Sequence, residues 1–217
     1  MKNILMVCGF IGLFASVLVG IGEYLLHYDS LARFSDGGFV FMQGINEHRT
    51  TVGHFFGVFG ATLYLIGCHH IYLMLRPASE TVAQAAFCIS AFGFIVGAVW
   101  IGSRASISAL MQLPSTPEVA HLITLYELRY ETLLMVVRIT TLLLSIVIVW
   151  LTLTGRSKYP RWMAVFNPFV LILVSFATYV IVPELGKHLM PIALNVAFFI
   201  FFSLSLFHAR NDKKVGV

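Results

Sequence analysis

The sequence predicts an all-α fold, a polytopic membrane bundle of six transmembrane helices with both termini in the cytoplasm. Three observations lead there. The chain is 59% hydrophobic and only 11% charged, with a mean hydropathy of +0.88. Water-soluble domains carry roughly 25% charged residues, so this chain cannot dress an ordinary aqueous surface. It also contains six apolar runs near the ~20 residues that a helix needs to cross a bilayer. Finally, its basic residues collect in alternate connections.

The runs define one domain, 1-217, with spans at about 4-24, 52-75, 82-110, 126-153, 163-182 and 189-207. The first follows Lys2 and lacks a small-x-small cleavage pattern, so it reads as a retained span and not a signal peptide. The second stops at Arg76-Pro77, and the third before Pro114. The fourth is followed by Gly155 and the fifth by Pro183, residues that punctuate helices. Asn167-Pro168 near the start of the fifth run marks a helix start or a kink. The connection 27-51 contains "FSDGGFVFMQGINEH", which suits an interfacial helix, a lid or a surface loop with aromatic anchors.

Orientation follows from Lys2, Arg76, the cluster Arg156/Lys158/Arg161 and the cluster Arg210/Lys213/Lys214, which fall on one side of a six-span chain. The opposite connections carry Asp29, Asp36, Glu47, Glu118 and Glu184. The expected location is the cell membrane, multi-pass, most simply a bacterial cytoplasmic membrane. The net charge of +4 is accounted for by the basic connections. No run of basic residues interleaved with aromatics occurs, so no nucleic-acid partner is expected. Cys8, Cys68 and Cys88 are odd in number and lie in apolar runs, which argues for buried side chains and against a disulfide framework.

Ionisable residues within the runs carry the functional reading, because charge is costly in hydrocarbon and normally turns inward. At helical spacing, Ser16, Gly20, Glu23 and His27 form one stripe, and His54, Gly57, Ala61, Tyr64 and Cys68 a second. Gly93, Gly97, Trp100, Arg104 and Ser108 form a third, while Glu127, Glu131 and Arg138 form a fourth. His188 and Asn195 share a face of the last run. All five bring polar groups toward the outer side. The expectation is an ionisable pocket opening outward, which binds an amphipathic or anionic lipid-like small molecule and can act on it catalytically. Glu23, His54, Glu127 and Glu131 are the acid–base candidates. His27, Arg104, Tyr130, Arg138 and Asn195 are the ligand-binding candidates, with arginine suited to an anionic group.

No cofactor is expected. A metal held by Glu23, His27 and His54 is an alternative, since Glu-x₃-His places two ligands on one face. A haem between His69 or His70 and His208 is another, although adjacent histidines diverge by about 100° on a helix, which favours interfacial roles. HExxH, GxSxG, Walker A and CxxCH are absent from the chain. Two other function classes fit the same residues. One is a proton-coupled transporter, disfavoured by the lack of an inverted repeat or paired broken helices. The other is a non-enzymatic binding or assembly protein, in which three carboxylates and two guanidiniums nearly neutralise one another and only orient helices.

"GEYLLHY" closing the first run and "GHFFGVFGATLYLIGCHHIYLML" in the second resemble a family of small, uncharacterised six-helix bacterial integral membrane proteins with a domain of unknown function. The resemblance covers mainly the first two runs. It implies the fold and supplies no activity.

Overall fold

The computed structural model describes residues 2–33 and 38–211. Asp36, Lys213 and Lys214, used above for orientation, lie outside the described residues. The described chain is helical, without strands. Its elements are α1 (Lys2–His27), α2 (Glu47–Leu75), α3 (Glu80–Leu110), α4 (Pro117–Leu153), α5 (Pro168–Ile181), α6 (Pro183–Leu189) and α7 (Ala193–Asn211). The expected all-α membrane bundle holds, because five of the rods are long and apolar enough to cross a membrane.

Local chemistry sets the helix starts. Asn46, Ser79, Thr116 and Asn167 each accept a hydrogen bond from a backbone N–H in the first turn of α2, α3, α4 and α5. Pro117 and Pro168 occupy first-turn positions, where a missing N–H costs nothing. Asn167-Pro168 is therefore a helix start.

This corrects the fifth run. Arg161–Ala164 forms a 3-10 turn, and α5 has only 14 residues. At 1.5 Å per residue it spans about 21 Å, short of the ~30 Å hydrocarbon core. The stretch 183–188, expected as an outer loop, is instead helical. It continues through a 3-10 turn at Met190–Ile192 into α7, so one rod runs from Pro183 to Asn211.

The outward face of α1 is apolar throughout: Ile4, Val7, Phe10, Phe14, Val17 and Ile21 are exposed. Its inward face is small. Gly12 lies against Gly67, where a Cβ would meet the Gly67 Cα at 2.9 Å. A Cβ on Gly22 would come to 2.5 Å from the Gly57 backbone nitrogen. Between helices in lipid, such close backbone approach supplies the packing that hydrophobicity cannot. From this seam the helices run in an arc, with α1 on α2, α2 on α3 and α3 on α4. On the other flank α7 packs on α1, and α5 on α7. At the end bearing the termini, α4 and α5 are joined where the Phe169 N–H donates to Ser145 Oγ at 3.1 Å.

That end is tied shut. The Lys158 N–H donates to the Met74 carbonyl at 2.8 Å, and the His208 ring bonds the Lys158 carbonyl at 3.0 Å. His70 is fully buried. Its Nδ1 bonds the Leu5 carbonyl at 2.8 Å and its Nε2 meets Ser205 Oγ at 2.6 Å. The carbonyl only accepts, so Nδ1 carries the proton and Nε2 accepts from the serine. His70 is thus a brace between α1, α2 and α7. It is neither interfacial nor free to ligate a haem.

At the opposite end, Arg49 donates to the Leu25 and Tyr28 carbonyls at 2.7 and 2.6 Å, satisfying the last turn of α1. Further along, Val40–Met42 forms a 3-10 turn, with Phe39, Phe41 and Met42 buried. Gly38 and Gly44 flank it with φ of +64° and +76°. Gln112 holds it by donating to the Met42 carbonyl at 2.8 Å and accepting from the Gly44 N–H at 3.0 Å. Asp29 pairs with Arg33 at 2.8 Å. Hydrogen bonds from Arg33 hold the Asp29 carboxyl below its ordinary range.

Two outcomes follow. Gly22→Ala forces α1 and α2 backbones apart and should cost about 1–3 kcal/mol. Gly20→Ala, whose Cβ would sit 3.4 Å from the Asn195 Cβ, should be near neutral; thermal unfolding in detergent compares them. The depressed Asp29 carboxyl stabilises the folded segment above its unfolded value of about 4, and that contribution fades as pH falls through the folded value. The thermal-stability advantage of the parent over Asp29→Asn in detergent should therefore be present at pH 5 and shrink toward pH 2.5.

Candidate functional site

A chain of polar side chains crosses the bundle. The Tyr64 hydroxyl of α2 donates to Asn195 Oδ1 of α7 at 2.9 Å. Asn195 Nδ2 donates to Glu23 Oε2 of α1. The other Glu23 oxygen meets Arg104 Nη2 of α3 at 3.3 Å, with both side chains buried. The Arg104 guanidinium lies 3.8 Å over the Trp100 ring and 5.7 Å from that of Tyr130 on α4. Such stacking suits its planar, weakly hydrated cation. Glu23 uses only one guanidinium nitrogen. Nε and Nη1 of Arg104, and Nε1 of Trp100, are buried without an acceptor among the described residues.

Arg104 and Trp100 border a cavity of about 540 Å³. One wall is the α4 stripe of Glu127, Glu131, Leu134 and Arg138. The facing wall is the apolar side of α5, with Phe169, Ile172, Leu173 and Phe176. Phe39 and Phe41 roof it, Phe39 edge-on to Tyr130 at 5.2 Å and Phe41 against His27 at 4.5 Å. Glu131 and Arg138 on α4 and Leu173 and Phe176 on α5 line the cavity and are exposed as well. The cavity therefore opens sideways, between α4 and α5.

Of the residues singled out from sequence, Glu23, His27, Arg104, Glu127, Tyr130, Glu131 and Arg138 line this cavity. Asn195 stands behind it as the partner of Glu23. His54 lies elsewhere. Its ring faces α3, where a Cβ on Gly102 would come 3.6 Å from His54 Cε1. The α1–α2 glycine seam sets the rotation of α2 and leaves His54 in the α2–α3 groove. The metal alternative of Glu23, His27 and His54 fails for the same reason, and no group of three such residues among those described is placed to hold an ion.

The charges do not cancel as the structural alternative expected. Only Glu23 and Arg104 pair, and Glu127, Glu131 and Arg138 have no ion-pair partner among the described residues. The α5 wall was missed by sequence reasoning, because its residues are apolar and carry no signal separating cavity wall from lipid face.

The buried pair revises the roles expected of its members. Glu23→Gln leaves the Arg104 charge without its partner and should cost about 3–5 kcal/mol. The double variant Glu23→Gln/Arg104→Gln should be less destabilised than the sum of the singles in reversible unfolding from mixed micelles. Glu127→Gln and Glu131→Gln, at positions without an ion-pair partner among the described residues, should stay within about 0.5 kcal/mol of the parent.

No curated protein and no solved structure gives a significant match. The family model described as "Family of unknown function (DUF6796)" matches residues 1–212. The first two runs had suggested an uncharacterised family, and the match extends this to nearly the whole chain, which belongs to that family of unknown function.

Proposed function

We propose that this protein binds an amphipathic molecule with an anionic group, taken from the membrane through the gap between α4 and α5. The observation that carries this reading is the set of three donor nitrogens on Arg104 and Trp100, buried beside a cavity of about 540 Å³ and lacking acceptors among the described residues. An unsatisfied buried donor costs about 1–3 kcal/mol. A phosphate or carboxylate supplies several acceptor oxygens at once, and the planar guanidinium fork matches them. Arg138, without an ion-pair partner in the described residues, adds a second cation on the α4 wall. The apolar α5 wall suits a hydrocarbon tail.

The location that accompanies this reading is the cell membrane, with the basic, tied-shut end of the bundle in the cytoplasm and the cavity in the outer half. The one-sided cavity and closed opposite end support binding over an alternating-access path.

The test reads Trp100 fluorescence in a Trp150→Phe/Trp162→Phe background. Detergent-solubilised protein is titrated with phosphatidylglycerol bearing brominated chains. Saturable quenching is expected. Arg104→Lys keeps a charge beside Glu23 but lacks the spare fork donors, so it should weaken binding roughly tenfold, about 1.4 kcal/mol, with little change in Tm. Quenching that never saturates, or an Arg104→Lys variant that binds as tightly, would overturn the reading.

A further inference from the structure

We infer that the molecule held in this cavity is a zwitterion, whose cationic amine sits on Glu127 and Glu131 while its anionic group sits on Arg104. The inference rests on the binding reading above and deepens it.

The first observation is the state of the two carboxylates. Both line the cavity, one turn apart on α4. Neither has an ion-pair partner among the described residues, although Arg104 and Arg138 border the same space. Arg104 is committed to Glu23. Arg138 lies seven residues beyond Glu131, about 10 Å along the helix axis. The two glutamates thus leave a negative charge on one wall that the protein does not balance. Glu127 is half-buried and Glu131 is exposed, so both remain reachable from the opening.

The second observation is independent and lies on the other side of the cavity. Arg104 is 1% exposed, and its Nε and Nη1 have no hydrogen-bond partner among the described residues. A buried cation that shares one nitrogen with a carboxylate and leaves two donors open requires an acceptor.

Tyr130 relates the two half-sites. It falls between Glu127 and Glu131 in the sequence, and its ring is 5.7 Å from the Arg104 guanidinium carbon and 5.3 Å from the Trp100 ring. Arg104 and the two α4 glutamates thus border one cavity, with Tyr130 of the same α4 turn beside the guanidinium. A ligand with one charge would leave one half-site unfilled. A head group that carries both a phosphate and a primary ammonium supplies a partner to each wall of the same cavity. Its N–H groups can donate to carboxylates, whereas a quaternary amine cannot. The chemical class is an amino-phosphate amphiphile, with its tail along Ile172, Leu173 and Phe176 of α5.

The experiment repeats the Trp100 titration with brominated-chain phosphatidylethanolamine and phosphatidylglycerol of identical chains. Phosphatidylethanolamine should bind at least fivefold more tightly. In Glu127→Gln/Glu131→Gln that preference should vanish, with phosphatidylglycerol binding unchanged or tighter. Equal or tighter phosphatidylglycerol binding by the parent, or a preference that survives the double substitution, overturns the zwitterion and leaves anion binding standing. Absence of saturable quenching by either lipid overturns both.

Discussion

The rest of the structure depends on the buried contact between Glu23 and Arg104. It brings a carboxylate of α1 onto a guanidinium of α3 inside a bundle whose outer faces are apolar. Burying either charge alone is costly, so each requires the other. The pair is extended by Asn195 of α7 and Tyr64 of α2, and it is bordered by Trp100 and Tyr130. Between helices in lipid there is no hydrophobic drive toward association, and a satisfied polar network fixes which faces meet. The network is satisfied on one side only. Glu23, Asn195 and Tyr64 find partners in one another, while Arg104 and Trp100 keep donor nitrogens without acceptors among the described residues.

Two packing features let that asymmetry persist. The glycine seam of α1 and α2 draws their backbones together and sets the rotation that turns Glu23 inward and His54 away. The shortness of α5 works in the opposite sense. It joins α4 through Ser145 near the closed end and turns back at Val182-Pro183, where Gly186 packs against the Tyr179 backbone. A helix of 14 residues cannot fill the space that a full-length span would fill. The cavity is what remains between α4 and α5, roofed by the 3-10 turn that Gln112 holds in place.

The α4 stripe shows how position changes the meaning of a charge. Arg104 and Arg138 look alike in the sequence, each set several residues into an apolar run. One is buried at the cavity's edge beside a carboxylate and two aromatic rings, while the other lies on an exposed cavity wall. Glu23 and Glu131 differ in the same way. A carboxylate that completes a buried pair acts on stability, and one on an open cavity wall is not held by that pair.

Composition and periodicity alone determined the all-α membrane class, the long rods, and the stripes that carry Glu23, Arg104, Glu127, Glu131 and Arg138, because lipid compatibility and helical repetition are local properties. Helix starts at Asn46, Ser79, Thr116 and Asn167 were written locally too, in side chains that satisfy first-turn N–H groups. Only the tertiary structure decided which charges pair, that His70 is a brace, that His54 stands apart, and that an apolar face of α5 becomes a cavity wall. Those outcomes depend on helix rotation and on how far neighbouring backbones approach. Both are set by contacts between residues distant in the chain, which no single helix records.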